Sequence, residues 1–249
     1  MKIPFRRAAA ATAMTAALVA GATLDAPAAT AAPTGEALAA KTALDRLNPQ
    51  PQDAADVLSS IEAANAVLKK LGITPFTPTI GACTDFTFPS ALGGAVAGPY
   101  TPGIGDLSGT IPIVNKTFDV NAVRKGEILY GFVPVGSFDD SGTDKSGMRV
   151  AWFNINTFEG SIGEPMGGLG ETVLNALSKR FKEAGVPEST VENLFPALKS
   201  LANAFPSNGA RGGLVDTGSG TVLSAIYGSI NKGDATCYFF PSLGIATAK

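Results

Sequence analysis

Apolar positions change their period several times along the chain, and each change marks a predicted element. Between Asp53 and Gly72, the residues Val57, Ile61, Ala64, Leu68 and Leu71 recur at helical spacings, with Asp53 placed to cap the start and Gly72 to close the end. A weaker stripe of Leu38, Leu44 and Leu47 stops at Asn48-Pro49-Gln50-Pro51, so residues 35–71 read as a helical pair. From 72 to 112 no period is sustained. Gly and Pro are frequent there, yet Ile73, Phe76, Ile80, Phe86, Phe88, Leu92, Val96, Ile104 and Leu107 keep the segment apolar. A disordered linker would not carry so many large apolar side chains, so this stretch is predicted to lie as an irregular segment across a core.

Residues 113–249 are dominated by strand patterns. The β-rich runs Gly126–Phe138 and Gly147–Thr157 flank a polar turn at 139–146, which predicts a hairpin. A helical insertion follows at about 168–205. Its first helix carries Leu169, Val173, Leu174, Leu177, Phe181 and Ala184 on one face and stops at Gly185. Ser189 and Glu192 have capping-box spacing for the second, which Pro196 is expected to break near Phe195. Strands return at 213–215, 220–230 and 235–240, the last two joined by the turn Asn231-Lys232-Gly233-Asp234. The pattern predicts an α+β fold: an antiparallel sheet of about five strands, helices packed on one face, and the N-terminal helical pair.

The first residues follow a different logic. Lys2, Arg6 and Arg7 precede an uncharged Ala-rich stretch from Ala8 to Leu24, and Ala29 and Ala31 fit the small-residue pockets of a signal peptidase. Residues 1–31 therefore read as a signal peptide, and 32–249 as a single secreted domain. An uncleaved anchor is the alternative, although about 20 apolar residues are needed to span a bilayer and this stretch is shorter. No lipobox cysteine follows, so no stable membrane anchor is expected after cleavage; the general secretory and twin-arginine routes both stay open.

Charge and sulfur narrow the partners. Of 19 basic and 21 acidic residues, cleavage removes Lys2, Arg6, Arg7 and Asp25, leaving a mature chain with a net charge of −4. Without a basic run to neutralise phosphates, nucleic acid is not an expected partner. Cys83 and Cys237 are the whole cysteine complement, and in an oxidising compartment they read as one disulfide; two free thiols or an intermolecular bridge are the alternatives.

Histidine is absent from the chain. That excludes Ser-His-Asp and Cys-His catalysis and the usual His-bearing zinc sites. Leu214-Val215-Asp216-Thr217-Gly218-Ser219-Gly220 looks like the active-site turn of aspartic proteases, whose chemistry needs two such carboxylates sharing a proton. The motif occurs once and few residues follow it, so Asp216 is a weak catalytic candidate and a turn residue first. Asp139, Asp140 and Asp144 around Gly142 are weak calcium candidates, since the distal bidentate Glu of an EF-hand is missing. The glycines between Gly160 and Gly170 come without a phosphate-binding Lys, and no cofactor is expected. Trp152, Phe153, Phe158, Phe239 and Phe240 read as core, or as the lining of an apolar cavity between sheet and helices.

The leader ending in Ala32-Pro33-Thr34, the run Gly-Met-Arg-Val-Ala-Trp-Phe-Asn-Ile-Asn-Thr at 147–157 and Cys-Tyr-Phe-Phe-Pro-Ser-Leu-Gly-Ile at 237–245 resemble uncharacterised secreted proteins of mycolic-acid-bearing actinobacteria. The resemblance implies an extracytoplasmic, envelope-associated location and carries no activity or site residues. The function expected from sequence is non-catalytic binding of an apolar ligand or envelope lipid. The alternatives are a histidine-free carboxylate hydrolase built on Asp216, and a protein-interaction or inhibitor module presenting 72–112 as an exposed loop.

Overall fold

A computed structural model of the chain describes residues 72–111, 116–136, 138, 144–203 and 205–249, all within the unit Pro33–Lys249. The expected signal peptide at 1–31 and the expected helical pair at 35–71 lie outside the described residues. In chain order the elements are β1 (Thr74–Pro75), β2 (Thr79–Cys83), β3 (Ser90–Ala97), β4 (Ser108–Ile111), β5 (Lys116–Asp119), β6 (Glu127–Pro134), β7 (Met148–Asn154), β8 (Glu159–Ile162) and β9 (Gly167–Gly168). They continue with α1 (Leu169–Glu183), α2 (Glu188–Asn203), β10 (Arg211–Asp216), β11 (Gly220–Lys232) and β12 (Ala235–Ala248).

The sheet is much larger than the sequence predicted. Ten strands run in the order β8-β7-β11-β12-β2-β3-β6-β10-β9, with β1 also paired to β3, and every pairing is antiparallel. Among the described residues strand outweighs helix by 49 % to 17 %, and the sheet curls into a half-barrel, which overturns the α+β reading of about five strands with a helical layer. Two errors explain the difference. The segment 72–112, expected to be irregular, supplies β1, β2, β3 and β4. In β3, Ala91, Leu92, Ala95 and Val96 are buried on both faces, so no alternation betrays the strand. The second error is one of pairing: the runs read as a hairpin, β6 and β7, do not touch as strands, because β6 lies between β3 and β10 and β7 between β11 and β8.

Inward side chains explain the curl. Met148 and Val150 of β7, Val222 and Ile226 of β11, and Phe239 of β12 share one core with Ile128, Tyr130 and Phe132 of β6. The Phe132 and Phe239 rings meet edge-on at 5.0 Å, and the Tyr130 hydroxyl bonds the Ser224 hydroxyl at 2.8 Å across the interior. Strands from opposite halves of the order can share these contacts only if the sheet bends round on itself. Its ends are consecutive in sequence. The amides of Gly163 and Met166, between β8 and β9, donate to the Val150 and Met148 carbonyls of β7, and β9 then pairs with β10.

Two glycines let the bend form. The Phe76 ring fills the space that a Cβ on Gly244 would occupy. Gly228 sits where the β11 register slips, with φ +134, and a Cβ there would collide with the Gly147 carbonyl.

The two helices among the described residues cover one flank. Val173 and Leu177 of α1 and Leu198 of α2 join Val96 and Leu129 on the outer side of β3 and β6. Gly185 (φ +76) closes α1, its amide donating to Lys182. The expected break at Pro196 is absent: α2 continues through it to Asn203, with Pro196 itself exposed and Val191 and Leu198 buried on either side. Arg180 of α1 fastens this layer to the sheet through two bonds to the Glu127 carboxylate, of 2.5 and 2.7 Å.

Cys83 and Cys237 are bonded to each other across 154 residues. They are directly opposed on β2 and β12. In the next pair the Thr84 amide donates to the Thr236 carbonyl and the Thr236 amide to the Thr84 hydroxyl, so the cysteines occupy a non-hydrogen-bonded pair, where facing side chains come closest.

Replacing both cysteines by Ser is expected to lower the unfolding free energy by about 2–4 kcal/mol, read from urea denaturation; an unchanged midpoint would contradict a structural role. Gly244→Ala should cost about 1–3 kcal/mol in the same assay, because the Phe76 ring has to leave its place.

Candidate functional site

The residues singled out for chemistry are dispersed. Asp216 ends β10 exposed to solvent, and its carboxylate accepts the Gly218 amide at 3.2 Å, as a turn residue does. Its cross-strand neighbour Glu127 is held by Arg180 and by the Arg124 amide. The turn joins strands that are not neighbours, so it is not the hairpin loop its composition imitates. The buried Asn154 holds it instead: its Nδ2 donates to the Thr217 and Ser219 carbonyls, while its Oδ1 accepts the Asn156 and Thr157 amides of the β7–β8 turn. Nothing in the sequence pattern marked Asn154 for that role.

Of the calcium candidates, Asp139 and Asp140 lie outside the described residues. Asp144 is exposed, and bonds from the Ser146 hydroxyl and amide hold its carboxyl below the usual range. Among the described residues, no group of three or more His, Cys, Asp or Glu is placed to hold a metal ion. A second polar cluster, which the sequence reading missed, centres on the buried Asn121. Its amide donates to Asp106 and Asp119 and its Oδ1 accepts from the Leu107 amide, so these groups satisfy one another and shape the loop before β4.

The aromatic candidates divide by strand parity. Trp152 and Phe239 point into the half-barrel, whereas Phe153, Phe158 and Phe240 are on the outside. An open surface cavity of about 450 Å³ lies at the start of α1, beside the Lys145–Glu171 ion pair, Lys199 and Phe205.

Among the described residues, the largest group of exposed apolar side chains lies on the outer face of β8, β7, β11, β12 and β2. Register aligns it in rows. Phe153 is opposite Leu223, which is opposite Ile245; Ile162 is opposite Ala151, then Ala225, then Leu243. Ile80, Tyr238 and Phe240 extend the same face over β2 and β12. These eight large side chains, Phe153, Ile162, Leu223, Leu243, Ile245, Ile80, Tyr238 and Phe240, are each between 40 % and 61 % exposed. Isolated exposed apolar residues are ordinary, but a contiguous field of them marks a contact surface. Alternation produced it: β11 and β12 place Val222, Ile226, Cys237 and Phe239 inside and equally apolar residues outside.

No protein-family model, curated protein or solved structure matches the chain. The half-barrel with a two-helix flank therefore stands on its own geometry, and the class it defines is a disulfide-linked antiparallel β protein. Among the described residues no helix is long and apolar enough to cross a membrane.

The Tyr130–Ser224 pair yields a pH test. Burial pushes the Tyr130 hydroxyl up to about 12, with the bond to Ser224 acting the other way. The folded state therefore holds this proton more tightly than the unfolded chain, whose Tyr ionises near 10. The contribution is complete below pH 10 and is lost as the pH rises toward 12. An alkaline titration should show one tyrosine ionising late, together with unfolding, and Tyr130→Phe should remove that step; four tyrosines titrating alike would contradict the burial.

Proposed function

We propose that this chain is exported with loss of residues 1–31 and acts as a non-catalytic binding protein of the cell envelope, meeting an apolar component on the outer face of β8, β7, β11, β12 and β2. One observation carries the reading: eight large apolar side chains on adjoining strands are exposed, on a flank that no helix among the described residues covers. The disulfide favours an oxidising compartment, in keeping with the leader and with the resemblance to secreted actinobacterial proteins. Absence of histidine and the turn role of Asp216 favour binding over hydrolysis. The partner meets the outside of the sheet, because Tyr130, Phe132, Met148 and Ile226 fill the inside.

Cosedimentation of the mature chain with envelope fragments tests this. The chain should pellet with the fragments, and Tyr238→Thr combined with Phe240→Thr should weaken binding about tenfold or more, from the apolar area withdrawn. A chain that remains in the supernatant at every fragment concentration would overturn the proposal.

A further inference from the structure

We infer that the component met by this face is the uncharged surface of a lipid layer, on which the sheet lies flat, and not a second protein surface. The inference rests on the docking reading above and adds the chemistry of the occupant.

Three observations carry it. The first is the extent of the face and its two ends. Phe86 (87 % exposed), Phe158 (79 %) and Phe88 (69 %) are the most exposed large apolar side chains among the described residues. Phe158 stands in the β7–β8 turn with its ring 6.5 Å from that of Phe153, so it extends the row of Phe153, Leu223 and Ile245. At the other end, Ile80 pairs with Ser90 and the Cys83 amide bonds the Thr87 carbonyl, a register that places Phe88 opposite Ala82, itself opposite Tyr238. Phe86 and Phe158 both hold φ near +60, a conformation uncommon for residues with a side chain. Together these residues expose on the order of 800 Å² of apolar surface, beyond the roughly 300–600 Å² of the largest patch on a typical monomer. Aromatic side chains at both ends of an apolar field are the arrangement that anchors a protein at a lipid interface.

The second observation is charge. β2 and β12 contain no charged residue, β7 only Arg149, β8 only Glu159 and β11 only Lys232, which is tied to Asp85 at 3.2 Å. With a mature net charge of −4, the chain has no electrostatic attraction to an anionic bilayer, so the matching layer is uncharged. The third is curvature. This is the outer, convex side of a curled sheet. Two rigid convex faces meet along a narrow strip, whereas fluid chains conform to the whole surface. Shape therefore favours lipid over a second copy of the chain.

Flotation of the mature chain with phosphatidylcholine vesicles tests the inference. The chain should float with them, to an extent neither increased by added phosphatidylglycerol nor reduced by 1 M salt, which screens charge at about 3 Å. The combined substitution Leu223→Thr, Leu243→Thr and Ile245→Thr keeps strand-favouring side chains and should lower the floated fraction tenfold or more. Leu194→Gln, on exposed α2, should leave it unchanged. In the absence of lipid, the triple variant should melt within about 3 °C of the parent, as surface substitutions do. A fall of about 10 °C or more would mean that residues 53–71 of the same chain cover the face, and would overturn the inference. Failure to float, combined with a concentration-dependent dimer that the triple variant abolishes, would overturn the lipid assignment while retaining the docking face. Failure to float by a protein that is monomeric and ignores envelope fragments would remove both.

Discussion

Tyr130 on β6 reaches Ser224 on β11 across the interior, and the molecule depends on the sheet bending far enough for that contact to exist. In strand order, β12, β2 and β3 lie between those two strands. A flat sheet of this width would leave both faces in water and lose most of the burial that drives folding. Curling converts one face into a core of its own, with Phe76, Phe132, Met148, Ile226 and Phe239 meeting inside. The tight places of the bend follow from it, above all Gly244 against the Phe76 ring. The disulfide joins β2 to β12 within the same sheet and holds a neighbouring pair of strands that are far apart in sequence.

Because the sheet supplies its own core, the helices are left with a narrower task. α1 and α2 cover the outer side of β3 and β6 through Val173, Leu177 and Leu198, and the Arg180–Glu127 pair fixes them there. Among the described residues the opposite flank has no such cover, although Leu223, Phe240, Leu243 and Ile245 are as apolar as the residues facing inward. Folding alone does not account for these outward choices, since polar strand-formers such as Thr would pair equally well at exposed strand positions. Their chemistry points to contact with something else.

The motif that most resembled a catalytic element turned out to have a mechanical role. Asp216 caps its own turn, and Asn154, opposite Val222 at the start of β11, clasps that turn to the β7–β8 connection. Residue types suited to catalysis and to tight turns overlap, because both use short oxygen-bearing side chains beside glycine. Only the position of a second carboxylate separates them, and the one opposite Asp216 is bound to Arg180.

Local pattern alone located much of the secondary structure. The β11–β12 hairpin with its turn at Gly233 and the stripe of α1 ending at Gly185 both follow from interactions between residues close in the chain. The two-cysteine complement likewise pointed to the Cys83–Cys237 bond. Strand pairing was not legible. Which strands lie side by side depends on contacts between residues from tens to more than a hundred positions apart, and a buried strand such as β3, apolar on both faces, has no period to betray it. The docking face was hidden for the same reason. Its side chains looked like core when read singly, and only the curl of the sheet, which sent alternate positions inward, decided that the others would remain outside.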